Sequence, residues 1–292
     1  MGDYIEKSFS SADGLDLFYR DYPASQQSTG APVLCLHGLT RNCADFEDLA
    51  PRLAAKRRVL AMDVRGRGRS AYDRNPRNYH LGSYVADVLS LLAAERLEQV
   101  IVIGTSMGGL IGMMLGAERP KALAGLVLND IGPVIDPAGM ARIAGYVGKT
   151  GPVESWEEAR AQVKAINAEA LPDLDDAAWD RFARRLFRED SAGWPVPAYD
   201  PAIAEGFAAG STTPRDMWTQ FDALAKTPIL VLRGAQSDIL SAETAEAMAA
   251  RHPRCETVTI PNRGHAPLLD EPAALSAIDR FVERRSGPQP VS

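Results

Sequence analysis

The stretch Gln99-Val100-Ile101-Val102-Ile103-Gly104-Thr105-Ser106-Met107-Gly108-Gly109 decides how the rest of the chain is read. Four β-branched residues, 100–103, have the composition of a buried strand. A helical pattern follows from Met107 to about Glu118. Between them stands Gly104-Thr-Ser-Met-Gly108. A serine at such a tight strand-to-helix turn is forced into a strained backbone conformation, with its hydroxyl presented to the outside. Glycine is needed at 104 and 108 because strand and helix pass too close there for a side chain.

Outward from this turn, short apolar strands alternate with helices. Residues 4–9 and 15–21 read as a hairpin around Asp13-Gly14. Residues 32–37 form a short strand apolar on both faces. A helix is predicted over 44–56, with Phe46, Leu49 and Leu53 on one stripe. A strand follows at 58–63, a helix at 83–96 capped by Ser83, and a strand at 123–129. Alternation at these intervals indicates an α/β protein with a mostly parallel sheet. The rhythm then stops. From about 132 to 226 there are helical patterns at 137–147, 155–170, 175–189 and 214–224, and an aromatic, proline-containing connector at 194–199. Strands return at 228–233 and 256–260, with helices at 241–251 and ending near 284. Residues 26–30 read as a polar loop and 287–292 as a frayed tail. The domain reading is therefore a core over 1–132 and 227–292, interrupted by an all-helical segment over 133–226 placed over one end of the sheet.

Composition narrows the function classes. The chain has 292 residues, 46% hydrophobic and 24% charged, with a net charge of −6. An acidic balance gives no general attraction to nucleic acid or to anionic membranes. The basic clusters 56–58 and 65–69 sit among acids and read as loops or solvated faces. Three widely spaced cysteines, 35, 43 and 255, form neither a metal-ligand pattern nor a disulfide framework, which suits a reducing compartment. The N-terminal residues lack the features of a signal peptide, and no apolar run approaches the length of a membrane span. The expectation is a cytoplasmic protein that meets a small-molecule substrate, with its oligomeric state open.

A serine nucleophile needs a base, and the base needs an orienting acid. Of four histidines, His37 precedes Gly38 at a strand end and reads as structural. His80 lies in a polar loop, and His252 ends a surface helix. His265, in Pro261-Asn-Arg-Gly-His-Ala-Pro267, follows the last strand, at the edge of the sheet where ligands bind in open α/β folds. It is the favoured base. Asp63, Asp130 and Asp238 all stand at strand ends. Asp238 is placed first, because it gives the order serine, acid, histidine after the interrupting segment. Asp130 is the reserve, and capping of the helix near Ser241 is the structural alternative for Asp238. The oxyanion calls for two backbone N–H donors, assigned to Met107 at a helix N-terminus and to Leu39 in the loop after the His37-Gly38 strand.

Five segments, His37-Gly38-Leu39, Asp63-Val-Arg-Gly-Arg-Gly-Arg-Ser70, Gly104-Thr-Ser-Met-Gly108, Gly234-Ala-Gln-Ser-Asp238 and Gly264-His265, together resemble the α/β-hydrolases. The resemblance covers about residues 15–285. It implies an eight-stranded, mostly parallel sheet with a helical cap inserted after the sixth strand. It also implies a triad of Ser106, Asp238 and His265, oxyanion donors at Leu39 and Met107, and no cofactor or metal. The serine separates the chain from relatives with an aspartate nucleophile. Ala266 stands where C–C hydrolases of ring-cleavage products commonly carry tryptophan. The expected reaction is hydrolysis of a carboxylic ester or lactone of a small, largely apolar substrate. C–C or thioester hydrolysis on the same triad, and a non-catalytic ligand receptor on the same scaffold, remain as alternatives. Arg41, Trp194, Tyr199 and Trp218 are the candidate substrate contacts, with Arg41 suited to a carboxylate. Gly66-Arg-Gly68-Arg-Ser-Ala71 fits a dinucleotide fingerprint, but it lacks the following helix whose N-terminus would bind phosphate.

Overall fold

The computed structural model describes residues 4–25, 30–208 and 216–285. Most of the polar loop expected at 26–30, the tail at 287–292 and the start of the helix expected at 214–224 therefore lie outside the described residues.

The core elements run β1 (Ile5–Ser10), β2 (Asp16–Tyr22), β3 (Val33–Leu36), α1 (Leu49–Ala54), β4 (Val59–Met62), α2 (Leu81–Ala94), β5 (Val100–Thr105), α3 (Met107–Glu118) and β6 (Leu123–Asn129). The intervening segment contributes α4 (Pro137–Tyr146), α5 (Trp156–Asn167), α6 (Asp176–Leu186), β7 (Phe187–Glu189), β8 (Pro195–Pro197), α7 (Ile203–Ala208) and α8 (Trp218–Ala223). The core closes with β9 (Ile229–Gly234), α9 (Ala242–Arg251), β10 (Cys255–Ile260) and α10 (Pro272–Glu283). The eight-stranded sheet has the order β1-β2-β4-β3-β5-β6-β9-β10. β1 and β2 pair antiparallel, as do β2 and β4; the other pairs are parallel.

β3, β4, β5 and β6 are buried at every residue. That follows from their continuous apolar character and from helices on both faces of the sheet. One face packs α2, α3 and α8 side chains such as Leu91, Leu110 and Phe221; the other packs α1 and α10 side chains such as Leu53 and Phe281. Each of these fully buried side chains contributes about 1.5–3 kcal/mol over its exposed state. Among the described residues no helix is long and apolar enough to cross a membrane.

Three local expectations change. The helix predicted over 44–56 is a 3₁₀ turn, Cys43–Phe46, followed by α1 from Leu49. A continuous helix would place Pro51 in its interior, where the ring meets the carbonyl four residues back. Starting at Leu49 puts Pro51 in the first turn. α2 begins two residues earlier than predicted, because the cap is the His80 ring, which accepts from the Ser83 N–H at 3.3 Å. The segment 133–226 is not all-helical, since β7 and β8 form a two-stranded antiparallel ribbon. Proline at both ends of β8 is tolerated because the ribbon is all edge.

The basic cluster 65–69 is a loop, as expected, and Arg69 is exposed, but its other two arginines are not solvated. Arg65 and Arg67 are 2% and 0% exposed. Arg65 is balanced by Asp13, Asp73 and Asp87. Arg67 is held by backbone carbonyls and tyrosines instead.

Candidate active site

β5 enters the turn and α3 leaves it with Ser106 at φ 52°, ψ −115°. A non-glycine residue there costs on the order of 1–3 kcal/mol and persists only where its surroundings fix it. The fixing is visible. The Ser106 N–H donates to the Asn129 carbonyl at 3.0 Å. A Cβ on Gly104 would stand 2.4 Å from the Gly108 carbonyl carbon, and one on Gly108 would stand 2.1 Å from the Leu36 carbonyl oxygen. Both glycines are therefore required by the crossing of strand and helix. Ser106 occupies the N-cap position of α3, yet its hydroxyl caps nothing. Ser155 and Ser241, at the same position of α5 and α9, each accept an N–H from their own first turn. The Ser106 hydroxyl is turned to His265 instead, which leaves the first amides of α3 to other acceptors.

His265 Nε2 lies 2.9 Å from Ser106 Oγ, and His265 Nδ1 lies 2.8 Å from Asp130 Oδ2. The Asp130 carboxylate can only accept, so Nδ1 carries the proton and Nε2 accepts from the serine hydroxyl. Asp130 is fully buried, at φ 56° immediately after β6. Its Oδ1 accepts the Gly234 N–H at 2.7 Å, and its Oδ2 also accepts the Ser237 hydroxyl at 2.6 Å. The Asn129 carboxamide donates to the Pro267 carbonyl at 2.9 Å and to Thr105 Oγ1 at 3.1 Å, tying the histidine loop to the sheet.

The acid expected from the sequence, Asp238, is not the partner of His265. Its carboxylate is taken by the Arg142 guanidinium of α4, with Nε to Oδ2 at 2.6 Å and Nη2 to Oδ1 at 2.8 Å. That guanidinium holds the Asp238 carboxyl below its ordinary value. Nor does Asp238 cap α9, which Ser241 does. Asp63 is buried under the Cys43 and Arg69 N–H groups, with the desolvation of burial pushing its carboxyl up.

Leu39 and Met107 flank Ser106 in the wall of one small apolar cavity, with Leu110, Met140, Ile143 and Phe207 around them. A second, more polar cavity of about 80 Å³ meets the first at Leu39, Ser106 and Ile143 and contains His265. Its wall includes Arg41, Tyr146, Gln162 and Tyr199. Two expected contacts fall elsewhere. Trp194 is 45% exposed on the β7–β8 ribbon, and Trp218 packs on Phe221 under the Arg251 guanidinium.

His37 is structural, as expected from its place. Its Nδ1 donates to the Gly38 carbonyl at 2.7 Å, and its Nε2 accepts the Val64 N–H at 3.0 Å. This bridge fixes the turn that carries Leu39. Complete burial lowers its pKa from 6.5 to about 3. A histidine held neutral in the fold contributes stability in full above pH 6.5, lost as pH falls from there toward 3. Urea-unfolding midpoints taken above and below pH 6.5 should show this loss, with a slope of up to about 1.4 kcal/mol per pH unit from this group. His37→Gln should flatten the acid limb; an unchanged slope would contradict the assignment.

With this geometry in place, known proteins are informative. A family model described as the alpha/beta hydrolase fold matches residues 31–272. The chain belongs to the α/β-hydrolase family. The 3-hydroxybutyrate-oligomer hydrolase of Cupriavidus necator is 35% identical over 261 residues, covering 85% of this chain and 87% of that protein. The 2-(acetamidomethylene)succinate hydrolase of Mesorhizobium japonicum is 26% identical, covering 88% and 90%. An α/β hydrolase from Novosphingobium aromaticivorans superposes with a TM-score of 0.92 at 47% identity, covering 97% of this chain and 99% of that one.

In this α/β-hydrolase, two contributors escaped the sequence reading. Ser237 positions Asp130, and its neighbour Asp238 drew the attention instead. Arg67 donates to the Leu39 carbonyl at 2.9 Å and reaches Met107 Sδ at 3.7 Å, so one buried guanidinium braces both residues flanking the serine. The signal for Arg67 was its place in the 63–70 motif, which carried the family resemblance while its arginines read as loop or solvated face. The dinucleotide reading of that motif stays excluded, because only a 3₁₀ turn, Pro76–Asn78, follows it before α2.

Proposed function

We propose that the protein is a serine hydrolase of carboxylic esters that works through an acyl-enzyme. One observation carries this reading. Ser106, His265 and Asp130 form a continuous hydrogen-bonded relay at 2.9 and 2.8 Å, on a backbone turn whose strain has no structural use. His265 Nε2 takes the proton as Ser106 Oγ bonds to the carbonyl carbon, and the C=O electron pair moves onto oxygen. The N–H groups of Leu39 and Met107 receive that oxyanion, and the N-terminus of α3 adds favourable potential. The oxyanion collapses, the C–O bond to the alcohol breaks, and the departing oxygen takes the proton from Nε2. Water then repeats the sequence on the acyl-enzyme, releasing the acid. Asp130 holds the imidazole in the required tautomer and stabilises its charged form.

Residues 133–226 act as a cap, supplying Ile143, Tyr146, Gln162 and Tyr199 to the cavity beside the serine. The 35% identity to a 3-hydroxybutyrate-oligomer hydrolase, together with two small cavities, supports short linear hydroxyacid esters as substrates. The test is a panel of a linear 3-hydroxybutyrate dimer, a lactone and an acyl thioester. The dimer should be turned over fastest, read as released monomer. Equal release by the wild type and a Ser106→Ala variant would overturn the proposal.

A further inference from the structure

The Arg41 side chain is unusually prepared for a ligand. Its Nε is gripped by Asp45, with Oδ1 at 2.9 Å and Oδ2 at 2.8 Å. Its guanidinium stacks over the Phe182 ring at 4.4 Å. These contacts fix the plane of the group but engage only one of its five N–H donors. Among the described residues, neither Nη1 nor Nη2 has a protein acceptor. The side chain is 17% exposed, and it lines the same cavity as Ser106 and His265. The point where a Cβ on Gly38 would stand is 3.5 Å from Arg41 Cγ and 3.7 Å from Ser106 Cβ, so the stem runs alongside the nucleophile. Four donors without a protein acceptor, on a side chain that lines the cavity, match the two oxygens of a carboxylate, which guanidinium binds bidentately.

The cavity in question is the one on the histidine side. His265 must hand its proton to the departing oxygen, so the alcohol half of the ester lies where His265 is. The apolar cavity beyond Leu39 and Met107 lacks His265 and suits the acyl half. The histidine-side cavity is the polar one, and it also holds Gln162, whose Oε1 is buried without a donor.

We infer that Arg41 is the specificity determinant for the leaving group, and that the preferred substrates are esters whose alcohol half carries a free carboxylate. This rests on the ester-hydrolase reading and adds to it a charge, a cavity and a residue. The matched probes are 3-acetoxybutanoate and 3-acetoxybutanamide, which share the acetyl group and the scissile ester bond and differ in the carboxylate, with released acetate as the readout. The wild type should favour the free acid by about 10- to 100-fold in kcat/KM, the range of a charge-assisted pair in a partly buried site.

Arg41→Met should bring that ratio to near one, and Arg41→Lys should restore only part of it. Because Arg41→Met strands the Asp45 carboxylate, the pair is also removed together as Arg41→Met/Asp45→Asn, which should show the same lost ratio. A general folding defect lowers both rates and leaves the ratio unmoved. A wild-type ratio near one, or a ratio retained in both methionine variants, overturns the inference while the hydrolase reading stands. Hydrolysis of neither ester above the Ser106→Ala background overturns that reading, and this inference with it.

Discussion

Ser106→Ala is expected to lower kcat for any hydrolysed ester by on the order of 10⁵- to 10⁶-fold, the scale on which a serine nucleophile is lost from a triad. The same change should abolish covalent labelling by a fluorophosphonate. The reason is geometric. The Ser106 hydroxyl makes its hydrogen bond to His265 and does not cap α3, so removing it takes the nucleophile and leaves the helix intact. Alanine must still adopt φ 52°, and the Asn129 contact to the residue's N–H is unchanged. Thermal unfolding should therefore move little, within about 1 kcal/mol. Steady-state kinetics of purified wild type and variant, with circular dichroism on the same samples, makes the check. Ester hydrolysis surviving within tenfold would mean that another group is the nucleophile.

Asp130→Asn is expected to cost roughly 10³- to 10⁴-fold in kcat, against a change within about threefold for Asp238→Asn. Asparagine tolerates positive φ, so the backbone at 130 can stay as it is. What changes is the polarity of the contact to the imidazole. A carboxamide can offer its N–H₂ to Nδ1, which moves the imidazole proton to Nε2 and removes the lone pair that takes the serine proton. In that arrangement its single oxygen is left for two donors, the Gly234 N–H and the Ser237 hydroxyl, which the carboxylate met with one oxygen each. At 238 the carboxylate contacts Arg142 in a pair about one-third exposed on both sides. Such a pair is worth ~0.2–1 kcal/mol, so its loss should appear in stability and hardly in rate. A larger kinetic loss at 238 than at 130 would show that the loop rearranges during turnover to recruit the other carboxylate.

The contrast between these two aspartates shows where sequence reading ran out. The alternation of strands and helices, the strained turn and the histidine loop are local patterns, and each was legible from a dozen residues or fewer. The acid was not. Asp130 and Asp238 both follow parallel strands, both end at the same edge of the sheet, and both fall between Ser106 and His265 in the chain. What separates them is a captor 96 residues away in sequence: Arg142, on the first helix of the intervening segment, which neutralises Asp238. No periodicity announces such a partner. The buried arginines were missed for a related reason, since Arg65 is tolerable inside only because Asp13, Asp73 and Asp87 converge on it from separate segments. The aromatic side chains of the intervening segment show the same limit: Tyr199 reaches the cavity while Trp194 and Trp218 do not. Their order in the chain says nothing of which way each faces.

The end of β6 has a mechanical meaning as well. Asn129 receives the Ser106 N–H on its carbonyl and secures the Pro267 carbonyl with its side chain, and the next residue orients the His265 ring. All three members of the relay are thus dimensioned from one datum, as a machinist would locate several holes from a single edge. Positional errors do not accumulate around the ring of contacts, because each part is gauged against the same fully buried pair of residues.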